Sequence, residues 1–343
     1  MSFAKLFTIT ALSIFLWTCG DSDPKKNNFS IATDAEKNTI ELGKTLKLSI
    51  NNPTNLEITS VSYQLNGEKI SENFKVNSNL GEQTITAKVT YEDTSEEVST
   101  KIIVLNNESP KIYSYKIINE YPHDITSYTQ GLEFHNGELF ESTGQYGESK
   151  LRKVNYKTGE VLQNISLTNQ FFAEGLTVLN DKLYQLTWRE NTGFIYDVKT
   201  LEKTGTFKYG KSKEGWGLCN DGSKLYKSDG TDKIWTLDAN NYTEQNFIQV
   251  YTNNGKIPSL NELEWIDGKI YANIYQRNGV AIINPKNGAV EGVIDFSPLK
   301  ELVTQHPQLD VLNGIAYNPQ TNTIFVTGKD WDKLFEVEVF LQQ

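Results

Sequence analysis

The sequence predicts an all-β protein in which a five-bladed β-propeller follows a small immunoglobulin-like β-sandwich. Aromatic residues make up 11% of the 343 residues, and such residues pack well on pleated sheets. A strand signal recurs five times in the C-terminal two thirds of the chain. The segment before this repeat contains short runs that alternate between apolar and polar residues. Both patterns are typical of antiparallel sheets.

Composition and charge narrow the classes of partner. The formal net charge of -10 and the pI near 5.0 argue against nucleic acid or an anionic membrane surface as the main partner. His123, His135 and His306 have no second His or Cys at metal-ligand spacing, so neither a zinc site nor a Cys–His catalytic pair is expected. Cys219 lies in a strand-like stretch and is expected to be a buried hydrophobic residue.

Residues 1–18 resemble a lipoprotein signal peptide. A short charged region precedes an apolar run over 6–17, which is too short to span a bilayer permanently. The pattern LWTC ends at Cys19 and resembles a lipobox, so Cys19 is expected to become the lipid-modified first residue; an ordinary secretory signal with an incidental cysteine is the alternative. Residues 19–29 then form a polar tether. We expect an exported bacterial lipoprotein in the periplasm or at the cell surface, attached to the membrane by its lipid alone.

Residues 30–107 are predicted to form the small β-sandwich. Runs such as 45–50 and 83–89 alternate strictly, which is typical of half-buried antiparallel strands. An Asn-Gly pair at 66–67 is a hairpin signal between two such runs. No catalytic constellation is visible in this segment. Its expected role is a spacer that lifts the next domain off the membrane.

Residues 108–343 contain the internal repeat. Each unit combines a Gly-Leu strand, or a close variant, with a second strand that carries Leu or Ile before Tyr or Phe. The last residues of the five signals are 44, 42, 45 and 52 residues apart, and they are Leu132, Leu176, Leu218, Leu263 and Ile315. Units of this length with four short strands are typical of propeller blades. The stretch 112–118 is expected to complete the last blade and close the ring.

The first strand of each blade lines the central channel of a propeller. Residues just before and within each signal are therefore expected to meet at one mouth of that channel, although they are far apart in the sequence. They include carboxamides, carboxylates and several aromatic side chains, with few positive charges. This mouth is the candidate functional site.

Five blade signatures together resemble those of the glutaminyl-peptide cyclotransferases, in the five-bladed propeller type of plants and bacteria. They occur in order between about 113 and 340, and they are YTQGL, FAEGLT, NELEW, ANIY and NGIA with TGKDW. The resemblance implies an enzyme that converts the N-terminal glutamine of peptides or proteins to pyroglutamate and releases ammonia, an intramolecular acyl transfer. The α-amine must lose a proton and attack the side-chain amide, while the developing oxyanion is stabilised.

The resemblance also implies roles for nine residues. Glu174 matches the carboxylate that shuttles the proton; a structural glutamate hydrogen-bonded between blades is the alternative. The substrate-binding residues comprise three polar groups and five aromatic walls, namely Gln130, Asn261, Lys329, Phe172, Tyr128, Trp188, Trp216 and Tyr275. Tyr275 and Tyr128 depart from the family pattern, in which tryptophan and phenylalanine are more common at these positions.

No cofactor is required for the implied reaction, and no catalytic metal is expected. Glu133, Glu262 and Glu264 near the axis could bind a structural calcium ion or the ammonium group of a substrate. Solvated or cross-blade hydrogen-bonded carboxylates are the preferred interpretation. A monomer is expected. The alternative to an enzyme is a non-catalytic, surface-tethered propeller that binds a peptide or a glycan.

Overall fold

The computed structural model describes residues 27–342. The predicted signal segment and Cys19 lie outside these residues. The strands of the N-terminal part are β1 (Ser30–Thr33), β2 (Thr39–Glu41), β3 (Thr45–Asn51), β4 (Ile58–Leu65), β5 (Glu68–Ile70), β6 (Asn73–Lys75), β7 (Gly81–Tyr91) and β8 (Thr94–Leu105). They form two sheets, with the strand orders β1-β3-β6 and β2-β8-β7-β4-β5.

The remaining strands follow a single long strand, β9 (Lys111–Pro122). They are β10 (Thr129–His135), β11 (Glu138–Thr143), β12 (Lys150–Asn155), β13 (Glu160–Ser166), β14 (Ala173–Leu179), β15 (Lys182–Thr187), β16 (Gly193–Asp197), β17 (Lys203–Phe207), β18 (Leu218–Asn220), β19 (Lys224–Ser228), β20 (Lys233–Asp238), β21 (Glu244–Gln249), β22 (Leu260–Ile266), β23 (Lys269–Ile274), β24 (Gly279–Ile283), β25 (Val290–Asp295), β26 (Leu312–Asn318), β27 (Thr323–Gly328) and β28 (Lys333–Leu341). One short helix, α1 (Ser297–Lys300), follows β25.

Strands β10 to β21 form three four-stranded antiparallel sheets, each made of four consecutive strands. Strands β22 to β25 and β26 to β28 are joined through β9 into one sheet of eight. The first strands β10, β14, β18, β22 and β26 contact one another in a closed ring. The prediction of an all-β chain is confirmed, and the sheets are arranged as in a β-propeller.

Strand β9 closes the ring by pairing with the end of the chain. It runs antiparallel to β28, with Tyr113 opposite Leu341 and Pro122 opposite Lys333. This is the pairing predicted for residues 112–118. The same strand also pairs in parallel with β25, where Lys111 lies opposite Gly292. The sequence pattern did not predict this second pairing.

The glycine of the repeated signal allows neighbouring first strands to approach closely. A Cβ atom on Gly175 would lie 2.6 Å from the backbone nitrogen of Leu218, and one on Gly217 would lie 2.0 Å from the carbonyl oxygen of Asn261. No side chain larger than hydrogen fits at such distances. The first strands pack so tightly around the axis that glycine is required at these positions, which explains why it recurs in the repeated signal.

The N-terminal sheets share a hydrophobic core with the propeller. Tyr251 and Ala289, which lie next to β21 and β25, are buried in the same cluster as Leu46 and Ile85 of the N-terminal sheets. The backbone N–H of Glu82 also donates a hydrogen bond of 2.8 Å to Oε1 of Gln249. The N-terminal part is thus packed against the propeller. Over residues 27–342, no helix has the length and apolar character needed to cross a membrane.

Candidate active site

One cavity of about 220 Å³ lies at a mouth of the ring. Its lining consists of nine residues, namely Tyr128, Gln130, Phe172, Glu174, Trp188, Trp216, Asn261, Tyr275 and Lys329. These are the catalytic and substrate-binding candidates of the sequence analysis, and the structure brings all nine together. Three come from first strands, and the other six lie within two residues of a strand end.

Irregular strand pairing explains why polar side chains reach the cavity. The register between first and second strands shifts at Gln130 in β10, at Glu174 in β14, at Asn261 in β22 and at Asn313 in β26. An extra residue in a strand re-aims its side chain away from the regular alternation. Three of the four side chains at these positions, Gln130, Glu174 and Asn261, line the cavity, and the fourth, Asn313, contacts Gln130.

Glu174 is a buried carboxylate with one free oxygen. Its side chain is only 3% exposed, and Oε1 accepts a hydrogen bond of 2.9 Å from Nε2 of Gln130. Oε2 is buried and has no hydrogen-bond partner within the described part of the chain. Burial raises the pKa of Glu174 well above its usual value; the charge of Lys329 opposes this effect, whereas Glu214 and Glu190 add to it. A carboxyl group with a raised pKa can both accept and return a proton near neutral pH.

Asn313 orients the carboxamide of Gln130. Its Nδ2 donates hydrogen bonds of 2.9 Å to Oε1 of Gln130 and to the carbonyl oxygen of Thr129. Because Oε1 is the acceptor, the amide nitrogen of Gln130 faces Glu174. Asn313 was not among the predicted site residues, although the signature NGIA contains it.

Lys329 is almost fully buried, with 2% of its surface exposed. Its Nζ lies 4.3 Å from the ring centre of Tyr128 and 5.2 Å from that of Tyr275. No carboxylate oxygen among residues 27–342 comes within 4.0 Å of it, so the ammonium group faces two aromatic rings. Burial lowers the pKa of Lys329, and nearby carboxylates, Glu174 first among them, only partly offset the effect.

The remaining lining combines a free amide oxygen with aromatic walls. Oδ1 of Asn261 is buried and has no hydrogen-bond partner among the described residues. Phe172 packs edge-on against Trp188, with ring centres 5.5 Å apart. Trp216 packs in the same way against Tyr275, also at 5.5 Å. Such walls exclude water and leave the polar groups to bind the ligand.

The three axial carboxylates accept hydrogen bonds from neighbouring first strands. Glu133 accepts one from the backbone of Val178 at 3.0 Å, and Glu262 and Glu264 accept them from the strand β26 at 3.0 and 2.8 Å. Burial raises the pKa of all three. Between residues 27 and 342, no three or more His, Cys, Asp or Glu side chains are arranged to hold a metal ion. The calcium alternative stays a prediction.

The fold and the site define a β-propeller protein whose pocket places a buried carboxylate, carboxamides and a lysine inside aromatic walls. Residues 85–339 match the family model described as glutamine cyclotransferase. The chain belongs to the glutamine cyclotransferase family.

Two relatives show how far the likeness extends. The chain is 41% identical to glutaminyl-peptide cyclotransferase from Arabidopsis thaliana over 234 residues, which cover 67% of this chain and 73% of that protein. It is also similar to the crystal structure of glutaminyl cyclase from Myxococcus xanthus, with 38% identity and a TM-score of 0.64. That comparison covers 68% of this chain and 100% of the other.

Proposed function

We propose that this chain is a glutaminyl-peptide cyclotransferase that converts the N-terminal glutamine of peptides or proteins to pyroglutamate and releases ammonia. The observation that carries the proposal is the free, buried Oε2 of Glu174 in a pocket of carboxamide and aromatic side chains. Membership of the family and the similarity to two glutaminyl cyclases support it. The reaction is an intramolecular acyl transfer.

Glu174 serves as the proton shuttle in this proposal. Its free oxygen accepts a proton as the α-amine of the substrate attacks the carbonyl carbon of the side-chain amide. A bond forms between the amine nitrogen and that carbon, and a tetrahedral oxyanion results. The protonated Glu174 then returns the proton to the departing NH₂ group, which leaves as ammonia when the old C–N bond breaks. The raised pKa of Glu174 suits both transfers.

The other pocket residues hold the substrate and stabilise charge. Lys329 lacks a carboxylate partner within 4.0 Å in the described part of the chain, so its ammonium group is available to the developing oxyanion. The free Oδ1 of Asn261 accepts an N–H of the substrate. The aromatic walls keep water from the amide, which limits hydrolysis to glutamate. These residues supply every group the reaction needs, so no step requires a metal ion.

We also propose the finer organisation predicted from the sequence. The closed ring of five first strands supports five blades. The two facing sheets of residues 30–107 support an immunoglobulin-like sandwich, with the propeller from residue 108 onwards. Lipid attachment at Cys19, export to the periplasm or cell surface and a monomeric state rest on the sequence pattern alone.

The decisive experiment measures ammonia release from a Gln-initiated dipeptide by the purified chain, with a chelator present throughout. The parent is expected to release ammonia, and Glu174→Gln is expected to lose nearly all activity while remaining folded. A dipeptide whose α-amine is acetylated is the matched control, because it cannot cyclise. No activity from the folded parent on several Gln-peptides would make the surface-tethered binding propeller the better hypothesis.

A further inference from the structure

Both tryptophans of the pocket wall are held by one carboxylate outside the lining. Oε2 of Glu214 accepts hydrogen bonds from Nε1 of Trp188 at 2.7 Å and from Nε1 of Trp216 at 2.9 Å. The two rings belong to different sheets, since Trp188 follows β15 and Trp216 precedes β18. An indole has a single donor, so each ring has its only polar contact directed at the same oxygen.

The second oxygen of Glu214 is also engaged. Its Oε1 accepts a hydrogen bond of 3.1 Å from Nε of Arg189, whose guanidinium group lies 3.6 Å from the ring centre of Trp188. Arg189 therefore fixes the carboxylate and covers one face of the ring. Burial alone would raise the pKa of Glu214, but the three donated hydrogen bonds outweigh it and hold that pKa below its usual value. The carboxylate stays ionised at neutral pH.

The backbone beneath Glu214 is fixed as well. Nζ of Lys227 is fully buried and donates hydrogen bonds of 2.8 Å to the carbonyl oxygen of Glu214 and 2.6 Å to Oγ of Ser212. The N–H of the following residue, Gly215, donates a hydrogen bond of 3.0 Å to the carbonyl oxygen of Trp188. These hydrogen bonds fix the backbone position of Glu214, so its carboxylate stays next to the two indoles.

We propose that Glu214 is a positioning residue for the reaction: it fixes Trp188 and Trp216 in the orientations that shape the pocket around a glutamine side chain. This inference rests on the proposed function. Glu214 does not line the cavity, so it acts through the two tryptophans. Charge-assisted hydrogen bonds to a partly buried carboxylate are stronger than neutral ones, and losing them frees both walls.

The test uses Glu214→Gln and Glu214→Asp in the full chain, with Glu190→Gln as the matched control. Glu190 also lies close enough for its charge to act on Glu174, but it hydrogen-bonds Tyr146 and neither tryptophan. We expect KM for a Gln-dipeptide to rise about tenfold in Glu214→Gln, with kcat changed less than about threefold. In Glu214→Asp the charge is kept but the carboxylate is withdrawn by one methylene, and KM is expected to rise several-fold. The control is expected to keep KM within about twofold.

Two further readouts separate positioning from general damage. Glu214→Gln removes a negative charge that raises the pKa of Glu174, so the acidic limb of kcat/KM is expected to move to lower pH; the control shifts that limb without raising KM. The neighbouring positive charges of Arg189 and Lys227 are unchanged in Glu214→Gln and in the Glu190→Gln control. The near-ultraviolet circular dichroism of the indoles is expected to change in both Glu214 variants and not in the control, whether or not the chain is active.

The outcomes distinguish the inference from the function on which it rests. An inactive parent overturns the proposed function, while the indole spectra still test the contacts of Glu214. An active parent whose Glu214→Asp variant folds with unchanged KM and unchanged indole spectra overturns the positioning role. If Glu214→Gln fails to fold, KM and the indole spectrum of Glu214→Asp alone decide whether Glu214 has the positioning role.

Discussion

At the scale of single residues, the pocket keeps two buried groups of opposite charge apart. Glu174 and Lys329 are 3% and 2% exposed, and no ion pair of 4.0 Å or less joins them. Burial disfavours the charged form of each, raising the pKa of Glu174 and lowering that of Lys329. Residues held in this way reduce stability, and they are ready to interact with charge that develops on a substrate.

A first prediction concerns the stability of Glu174→Gln. The pKa of Glu174 in the folded chain lies above its ordinary value of 4.5, so the folded chain holds more protons than the unfolded chain between these two values. Stability therefore falls as pH rises through that window. The variant lacks this loss, so its Tm is expected to exceed the parent's by about 2 °C or more near pH 8. The excess shrinks towards about pH 4.5. Equal Tm values at every pH would contradict the prediction.

A second prediction concerns Asn313→Ala. The change removes the donor that orients Gln130, so the carboxamide can turn away from Glu174. We expect kcat/KM to fall by roughly tenfold to a hundredfold, since a misplaced catalytic contact has costs of this order. Asn318→Ala is the matched control: Asn318 is the last residue of the same strand, and its side chain accepts a hydrogen bond from the following turn, so kcat/KM is expected to stay within about twofold. Steady-state kinetics on a Gln-dipeptide decide the matter.

The nine lining residues were predictable because the resemblance to the cyclotransferase family assigned them roles, and the blade repeat placed their segments at one mouth of the channel. Asn313 and Glu214 were not selected, because their roles depend on particular atom pairs. Asn313 reaches a carboxamide 183 residues away, and Glu214 meets two indole nitrogens. A sequence shows which residue types approach the axis, but it does not show which donor meets which acceptor across two sheets.

At the scale of elements, the irregular first strands and the loops behind them shape the pocket. Gly144 follows β11, and a Cβ atom there would lie 2.5 Å from Cε1 of Phe172 and 3.0 Å from Cγ of Gln130. The loop can therefore pass behind both side chains only without a side chain of its own. The strand pattern did not reveal this, because the clash lies between a loop and two residues of other segments.

A third prediction follows for Gly144→Ala. The added methyl group must displace the Phe172 ring and the Gln130 side chain, so we expect kcat/KM to fall about tenfold, with only a small change in Tm. Gly205→Ala is the matched control, since its Cβ would make an ordinary contact of 3.5 Å with Ile195. It is expected to leave kinetics unchanged. Equal kinetics in the two variants would contradict the predicted displacement.

A buried charge network connects two of the segments that form the pocket, the start of β10 and the loop after β27. Oε1 of Glu141 accepts hydrogen bonds from Oγ1 of Thr129 at 2.8 Å and from Nε2 of His123 at 3.0 Å, and Arg152 lies 3.8 Å from Oε2. Nδ1 of His123 donates to the carbonyl oxygen of Trp331 at 2.7 Å. The network thus ties the start of β10 to the loop after β27, which carry two of the pocket's polar residues.

A fourth prediction concerns Glu141→Gln. The change leaves the buried imidazole of His123 without a carboxylate partner, whereas Arg152 keeps Asp124 at 2.8 Å, so the free energy of unfolding is expected to fall by about 3 kcal/mol. Burial opposes the ionised form of Glu141, but His123 and Arg152 hold its pKa below 4.5. The stability that ionised Glu141 contributes is therefore fully present above pH 4.5 and is lost as the pH falls through its pKa in the folded chain. Burial likewise opposes the charged form of His123, yet Glu141 raises the pKa of His123 above 6.5. The stability that charged His123 contributes is therefore fully present below pH 6.5 and is lost as the pH rises through its pKa in the folded chain. Urea unfolding is therefore expected to show the largest deficit between these two values and a smaller one near pH 9.

At the scale of the whole molecule, two propeller residues, Tyr251 and Ala289, complete the apolar core of the N-terminal sheets. Tyr251 is 6% exposed and packs within the cluster of the N-terminal sheets, while its backbone pairs with residues beside β25. The sequence predicted a spacer, and its alternating runs gave no sign of a contact surface. Tyr251 and Ala289 are buried, but they lie in short segments next to β21 and β25, where hydrophobic periodicity gives no signal.

A fifth prediction tests this shared core. Tyr251→Ala is expected to lower the free energy of unfolding by roughly 3 kcal/mol, because a large buried aromatic side chain is lost. Cyclisation kinetics are expected to stay within about twofold, since Tyr251 does not line the active-site cavity. Leu162→Ala, on an exposed part of β13, is the control and is expected to have little effect. Scanning calorimetry of the parent is expected to show a single transition; two separate transitions would show that the modules unfold independently.

The pairing of β9 with β28 has a consequence for how the protein is made. β9 is synthesised more than two hundred residues before its partner, so on the ribosome the growing chain can form its early sheets while the ring stays open. Meanwhile β9 presents an uncovered edge that can add to other chains, and pairing over so long a separation is slow. Closure waits until β28 has left the exit tunnel. Until then the ring stays open, and the uncovered edge of β9 exposes the chain to aggregation.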